Sequence, residues 1–243
     1  MRNRIHFEDC LEGAKRIPAG SVDAVFTDLP YGTTKNRWDT LINLQSFWVE
    51  TDRILKPNGV VILTAQAPFD KCLAVSNLKD FRYEWIWEKT AATGHLNAKK
   101  MPMKAHENVL IFYKKPPTYN PQKTTGHVRK VSTAEHKRNS KKTTNYGDFE
   151  NTGYDSTERY PRSVLKFPSD KQKSSLNATQ KPLALGEYFV KTYTNPGDTV
   201  VDFCTGSGTF PLACHNTGRN WIAFENDPLE LMKANYRLFK HGA

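Results

Sequence analysis

The stretch Thr199-Val200-Val201-Asp202-Phe203-Cys204-Thr205-Gly206-Ser207-Gly208-Thr209 decides the fold. A β-branched apolar run, a glycine-spaced turn and an apolar segment from Phe210 to Asn216 read as strand, loop and helix. A second strand, Trp221 to Phe224, follows and ends at Glu225. This succession is a nucleoside-binding arrangement. The glycines let a ligand approach the backbone, and an acid ending the next strand can accept both hydroxyls of a ribose. The dinucleotide fingerprint is not completed, because Pro211 stands where its third glycine would fall. A ligand with a ribose and an adenine but no phosphate needs only the close approach and the acid, and S-adenosylmethionine meets that description.

The same alternation extends outward. Short strands are expected at Arg4 to Phe7, Val22 to Thr27, Val60 to Leu63, Tyr83 to Trp87 and Glu107 to Tyr113. The last two are expected to pair antiparallel across a loop from Thr90 to Ala105. Helical spacing covers Leu11 to Ile17, Leu44 to Leu55 after an Asn43 cap, Phe69 to Leu78, Leu183 to Tyr193 after Pro182, and Leu229 to Phe239 after Pro228. Pro57-Asn58-Gly59 stops the second of these, and the last presents Leu229, Met232, Tyr236 and Phe239 as its apolar face. Strands alternating with helices predict an α/β fold, doubly wound around a largely parallel sheet. Val22 to Thr27 ends at Asp28-Leu29-Pro30-Tyr31, as a buried parallel strand does where it opens into a site.

At 243 residues the chain is one large domain or a domain with a substantial insertion. Lys and Arg number 35 against 25 Asp and Glu, a formal charge of +10 that suits a polyanionic partner. Nine of the basic residues and one acid, Glu135, fall between Lys114 and Lys142. The segment 115–177 is poor in aliphatics, carries Tyr119, Tyr146, Phe149, Tyr154 and Tyr160, and reads as an insertion with little core of its own. The core is then 1–114 and 178–243. Cys10, Cys72, Cys204 and Cys214 lack metal-ligand spacing and are expected to be buried free thiols; no metal is expected. With no apolar run near the ~18 residues of a membrane span, a cytoplasmic protein without membrane partners is expected.

Taken in order, Asp28-Leu29-Pro30-Tyr31 and Asp202-Phe203-Cys204-Thr205-Gly206-Ser207-Gly208-Thr209 resemble the two motifs of the β-class DNA amino-methyltransferases. There the catalytic motif, Asp-Pro-Pro-Tyr, precedes the cofactor motif, Asp-Pro-Phe-x-Gly-Ser-Gly-Thr. Glu8-Asp9-Cys10-Leu11, Leu55 to Gly59, Trp87-Glu88-Lys89, His106-Glu107 and Thr179-Gln180-Lys181-Pro182 are also similar to that family. The chain departs from it at Leu29 and at Phe203, where the family has proline. The resemblance implies a Rossmann-like, permuted S-adenosylmethionine-dependent fold. Arg4 to Phe7 would fill the strand slot beyond the last helix and bring Asp9 to the cofactor adenine. It implies Asp9, Cys10, Lys181, Asp202, Phe203, Gly206, Ser207, Gly208, Thr209, Glu225 and Asn226 as cofactor-binding residues.

It also implies the chemistry. An exocyclic amino group is a poor nucleophile, because its lone pair is delocalised into the ring. Acceptors aimed at its two hydrogens favour a more tetrahedral nitrogen; Asp28 and the Leu29 carbonyl would serve, with Pro30 stiffening the chain and Tyr31 stacking on a base flipped out of the duplex. The expected partner is double-stranded DNA, methylated at N6 of adenine, and the expected location is cytoplasmic and DNA-associated. The basic insertion would contact DNA through Lys123, Arg129, Lys130, Lys137, Arg138, Lys141 and Lys142. A homodimer and a cognate restriction endonuclease are partners left open. The competing readings are N4 of cytosine, a glutamine or structured RNA, and an inactive DNA-binding protein on the same fold.

Overall fold

Val60, Val61, Ile62 and Leu63 are all buried, as are Val109 to Phe112, so these strands face apolar surroundings on both sides and form the middle of a sheet. The computed structural model describes residues 1–32, 39–133, 135, 153–169 and 180–243. Its strands are β1 (Arg4–Phe7), β2 (Val22–Thr27), β3 (Leu55–Ala65), β4 (Phe81–Thr93), β5 (Lys104–Phe112), β6 (Lys130–Ser132), β7 (Tyr154–Ser156), β8 (Val164–Phe167), β9 (Thr199–Asp202) and β10 (Asn220–Glu225). The helices are α1 (Cys10–Ala14), α2 (Leu44–Ile54), α3 (Phe69–Ser76), α4 (Leu183–Tyr193), α5 (Thr209–Asn216) and α6 (Pro228–Lys240).

Eight strands form one sheet in the order β1-β10-β9-β2-β3-β5-β4-β8. The run from β1 to β3 is parallel, β5 is antiparallel to both β3 and β4, and β8 lies parallel to β4. Alternate side chains sort to two cores. Ala24, Phe26, Val60, Ile62, Val109 and Ile111 join α4, α5 and α6. Val25, Val61, Leu63, Leu110 and Phe112 join α1, α2 and α3. Helices therefore cover both faces, and the doubly wound α/β expectation holds. β1 fills the slot beside β10, with Phe7 opposite Glu225. Asn43 caps α2 by accepting from Ser46 N at 2.9 Å. β4 and β5 pair antiparallel as expected, but run on to Thr93 and back from Lys104, leaving a shorter loop.

Three readings are amended. Apolar spacing put Leu229, Met232, Tyr236 and Phe239 on one face of the last helix, and that face is exposed, Phe239 to 81%. The face of α6 that packs inward carries Glu230, Ala234, Arg237 and Leu238 instead. Spacing alone does not distinguish an apolar stripe facing the sheet from one facing out, and the buried polar residues here are ones that hold the site. Second, the insertion does not run to 177. The chain divides into Met1–Asn120 with Ser163–Ala243, and Pro121–Arg162. β8 therefore belongs to the main sheet; with only four residues it is too short to show as a strand in a segment poor in aliphatics. Third, of the cysteines only Cys10 and Cys214 are buried; Cys72 is exposed and Cys204 half-buried, all four being free.

The smaller unit holds the β6–β7 ribbon and a bridge between Thr124 and Arg159. None of its described residues is buried. No helix among the described residues is long and apolar enough to cross a membrane.

Candidate active site

Every parallel strand from β1 to β3 points its carboxyl end at the same place, and a cavity of about 680 Å³ opens there. That volume suits a small-molecule site. Glu8 after β1, Glu225 ending β10, Phe203 after β9, Asp28 after β2 and Gln66 after β3 all border it.

At one end sits Asp28. Its Oδ1 accepts from the Tyr31 hydroxyl at 2.6 Å and from Thr64 Oγ1 at 2.5 Å, and its Oδ2 accepts from Lys181 Nζ at 2.5 Å. A carboxylate has about four lone-pair sites, so roughly one is left to face the cavity. Lys181 also lies 3.4 Å from Glu107, whose other oxygen is 2.6 Å from Lys89. Burial opposes the charge on Lys181, but the carboxylates of Asp28 and Glu107 more than offset it and raise its pKa above the ordinary lysine value. Burial also opposes the charge on Glu107, and Lys181 and Lys89 reverse the balance, holding it below the usual carboxylate range. Burial pushes the Tyr31 phenol well up, with the charges of Asp28 and Glu107 adding to it, so Tyr31 donates rather than ionises.

Leu29 is 2% exposed, its side chain part of the core under α1 to α3. Pro30 and Tyr31 border the cavity. The Tyr31 ring lies against Phe69, centroids 5.3 Å apart, an aromatic support that sequence spacing did not suggest.

At the other end Glu225 is held by backbone. Its Oε2 accepts from Gly206 N at 2.8 Å, and its Oε1 from Asn226 N at 3.0 Å and Asp227 N at 2.9 Å. Burial raises its pKa, and these three amides oppose the rise. With about one lone-pair site remaining, it can take one hydroxyl without losing an existing bond, rather than the expected two.

The two glycines differ. A Cβ on Gly206 would meet nothing within 4 Å, whereas one on Gly208 would come within 3.2 Å of Ala234 on α6. Gly206 is the open cradle, and Gly208 serves helix packing. Arg237 fixes this loop from below, donating to Thr209 Oγ1 at 2.8 Å and to Ser207 O at 3.2 Å.

The other expected cofactor residues divide, with Asp9, Lys181 and Phe203 among those that border the cavity. Gly208 and Asp202 do not border the cavity. Asp202 is buried, accepts from Cys204 N at 3.1 Å, and has one oxygen without a partner among the described residues. Burial pushes it up to about 7. Phe203 packs its ring on Phe47, centroids 5.1 Å apart. Asp9 borders the cavity, but its Oδ1 accepts from Leu11 N and Glu12 N as the cap of α1. The Lys181 ammonium is paired with the acids of the Asp28 end. Cys10, Ser207, Thr209 and Asn226 do border the cavity.

Sequence reasoning missed Thr64, Glu107 as a charge partner, and Gln180. Gln180 borders the cavity, is 4% exposed, and neither polar atom of its side chain has a partner among the described residues. The motif Thr179-Gln180-Lys181-Pro182 was the available signal.

Of the basic residues expected on DNA, Lys123 pairs with Glu158 at 2.9 Å and Arg129 with Asp155. These two therefore already have acid partners. Lys130 is exposed on β6, and Lys137, Arg138, Lys141 and Lys142 lie outside the described residues.

A family model described as DNA methylase, grouping N6 and N4 methyltransferases, matches residues 22–234. The type II methyltransferase M1.MboII of Moraxella bovis is 26% identical over 263 residues, covering 97% of this chain and 96% of its own. The DNA adenine methyltransferase YhdJ of Escherichia coli (strain K12) is 28% identical over 239 residues, covering 89% and 76%. Among solved structures, an M1.HpyAVI–SAM complex superposes with a TM-score of 0.63 at 23% identity, covering 97% of this chain and 99% of that one. The PvuII cytosine-N4-specific DNA methyltransferase gives 0.68 at 18%, covering 96% and 85%.

Proposed function

The chain belongs to the DNA methylase family and is an S-adenosylmethionine-dependent DNA methyltransferase, and from that premise we propose that it methylates the 6-amino group of adenine. One observation carries the site assignment: Asp28, with about one lone-pair site left, borders the same cavity as the open Gly206 cradle and Glu225. The residues present suit the cofactor. Gly206 leaves room a Cβ would fill, Glu225 retains an acceptor for a ribose hydroxyl, and the buried Thr205 hydroxyl and Gln180 amide lack partners among the described residues. Bound there, S-adenosylmethionine supplies a methyl group on an electrophilic sulfonium.

The chain's own part is positioning. Asp28 accepts one amino hydrogen and the Leu29 carbonyl the other, drawing the nitrogen toward a tetrahedral geometry with its lone pair free. Because Tyr31, Thr64 and Lys181 already donate to Asp28, the carboxylate orients the amine and leaves the released proton to solvent. The base must be extruded to reach them.

The adenine preference is supported by the initial Asp of the motif and by the relative named as an adenine methyltransferase. A second reading, N4 of cytosine, is favoured by a family model that groups both and by a cytosine-N4-specific structural neighbour. Incubation with labelled cofactor and double-stranded DNA, followed by digestion to nucleosides, decides: N6-methyldeoxyadenosine is expected, N4-methyldeoxycytidine would establish the second reading, and label in RNA or protein alone would overturn both.

The proposal includes a cytoplasmic, DNA-associated enzyme. Lys130 and its basic neighbours in sequence are proposed to neutralise phosphates; Lys130→Ala should reduce the slope of log K against log salt by about one. A cognate restriction endonuclease is supported by the relative named as a type II methyltransferase, and protection of DNA from a co-expressed nuclease tests it. A homodimer is supported by the exposed stripe on α6, and sedimentation of Phe239→Glu against wild type tests that.

A further inference from the structure

Lys181 stands in a motif whose resemblance assigns it to the cofactor, yet its side chain is occupied elsewhere. The lysine is 8% exposed in its side chain, and its nearest partner is Asp28 Oδ2 at 2.5 Å. A second partner, Glu107, lies 3.4 Å away, and the Tyr31 ring 5.6 Å. Glu107 is in turn held by Lys89 at 2.6 Å. Cations and anions thus alternate along a buried line, Lys89, Glu107, Lys181, Asp28. Loss of any inner member of such a line is costly, because its neighbour would be left as an uncompensated buried charge.

The backbone of Lys181 is fixed from the opposite side. Its carbonyl accepts from Thr209 Oγ1 at 3.3 Å, and Thr209 accepts from Arg237 at 2.8 Å. Pro182 follows directly, restricting the chain before α4. One residue therefore ties the glycine loop, through its carbonyl, to the acid of the Asp28 motif, through its ammonium.

Resting on the methyltransferase reading above, we infer that Lys181 is a positioning residue for the reaction: it fixes the Asp28 carboxylate so that its remaining lone pair points at the amino group. Tyr31 and Thr64 set the rotation of the carboxylate through Oδ1, and Lys181 locks it through Oδ2. The groups bearing charge or able to titrate around Asp28 are Tyr31, Lys181, Glu107 and, beyond the strand end, Asp202. Lys181 is the cation among them in direct contact, so its removal changes the aim of Asp28.

Two variants, Lys181→Met and Lys181→Arg, and one structure test this. In single-turnover methylation at saturating cofactor, Lys181→Met should fall about a hundredfold while cofactor affinity by calorimetry stays within about threefold. Lys181→Arg should recover part of the rate with cofactor affinity again close to wild type. Weakened cofactor binding with an unchanged rate at saturation would overturn the inference in favour of a cofactor ligand.

A crystal structure of the wild-type chain with S-adenosylmethionine reads the contact without relying on the variants folding. Lys181 Nζ on Asp28 supports the role, and Nζ on the cofactor carboxylate overturns it. Failure of wild type to methylate any DNA would overturn the proposed function instead, and the position of Nζ in that structure would still be read.

Discussion

Asp28 and Glu225 face the same cavity, each with three donors, but the donors differ in kind. Glu225 takes backbone amides from Gly206, Asn226 and Asp227, whereas Asp28 takes the side chains of Tyr31, Thr64 and Lys181. Two of the three amides, Asn226 and Asp227, come from the turn that follows Glu225 and the third, Gly206, from the loop 19 positions earlier; all are backbone, so the Glu225 end does not depend on which side chains surround it. Of the side-chain donors Tyr31 lies three positions on, but Thr64 arrives from β3 and Lys181 from two residues before α4, so the Asp28 end depends on the assembled fold. A group meant to grip a constant ligand can be built the first way. A group that must aim at one atom of a base benefits from the second, because each donor can be adjusted separately. Asp202 lies near both with neither kind of support complete.

The contrast can be broken most severely at Asp28. Asp28→Ala should lower methyl transfer on the order of 10³-fold, with cofactor affinity by calorimetry close to wild type. A variant retaining a tenth of the activity would remove Asp28 from the site.

Asp202 provides a pH test. Its carboxyl is raised from 3.8 to about 7 in the folded chain, chiefly by burial. The native state therefore keeps a proton that the unfolded state loses near the lower value. Its contribution to stability is present below that value and is lost as pH rises through about 7. Asp202→Asn should flatten this fall and gain about 2–3 kcal/mol over wild type at pH 8 in urea melts. Parallel pH profiles for the two proteins would count against the shift.

Glu225→Gln comes next. It keeps the shape but turns an amide group toward three backbone donors, so cofactor affinity should drop about 10–30-fold while the rate at saturation changes little. Loss of rate without loss of affinity would mean the two ends are not separable. The mildest change is Thr64→Val, which removes one of the three donors to Asp28. The rate should fall about five- to tenfold with cofactor affinity unaltered, measured in the same two assays.

The same local-versus-assembled distinction explains what the sequence made legible. The Gly206 loop, Glu225 and the strands β2, β9 and β10 could be read because each is specified within a few neighbouring residues. Asp28 was legible as an acid ending a strand. Thr64 was not, since nothing in Val60 to Ala65 marks one threonine as the partner of an acid 36 positions away. Gly206 and Gly208 look equivalent in sequence, and only the approach of Ala234 separates the cradle from the packing contact. The direction of the apolar stripe on α6 was not legible for the same reason. Periodicity defines a stripe but not its direction, and the inward face is identified only by what Arg237 reaches.

The pairing of β1 with β10 has a consequence for how the chain acquires its site. Phe7 lies opposite Glu225, and Trp221 N donates to Asn3 Oδ1 across 218 positions. Closing so long a loop is entropically slow, and contacts of this separation form after local ones. During synthesis, β1 waits without its partner until β10 has been made, whereas β2 and β3 can pair much earlier. The strand at this edge of the cavity is thus the last to find its neighbour, and a ligand bridging Asp9 and Glu225 would hold together the ends of the longest loop in the sheet.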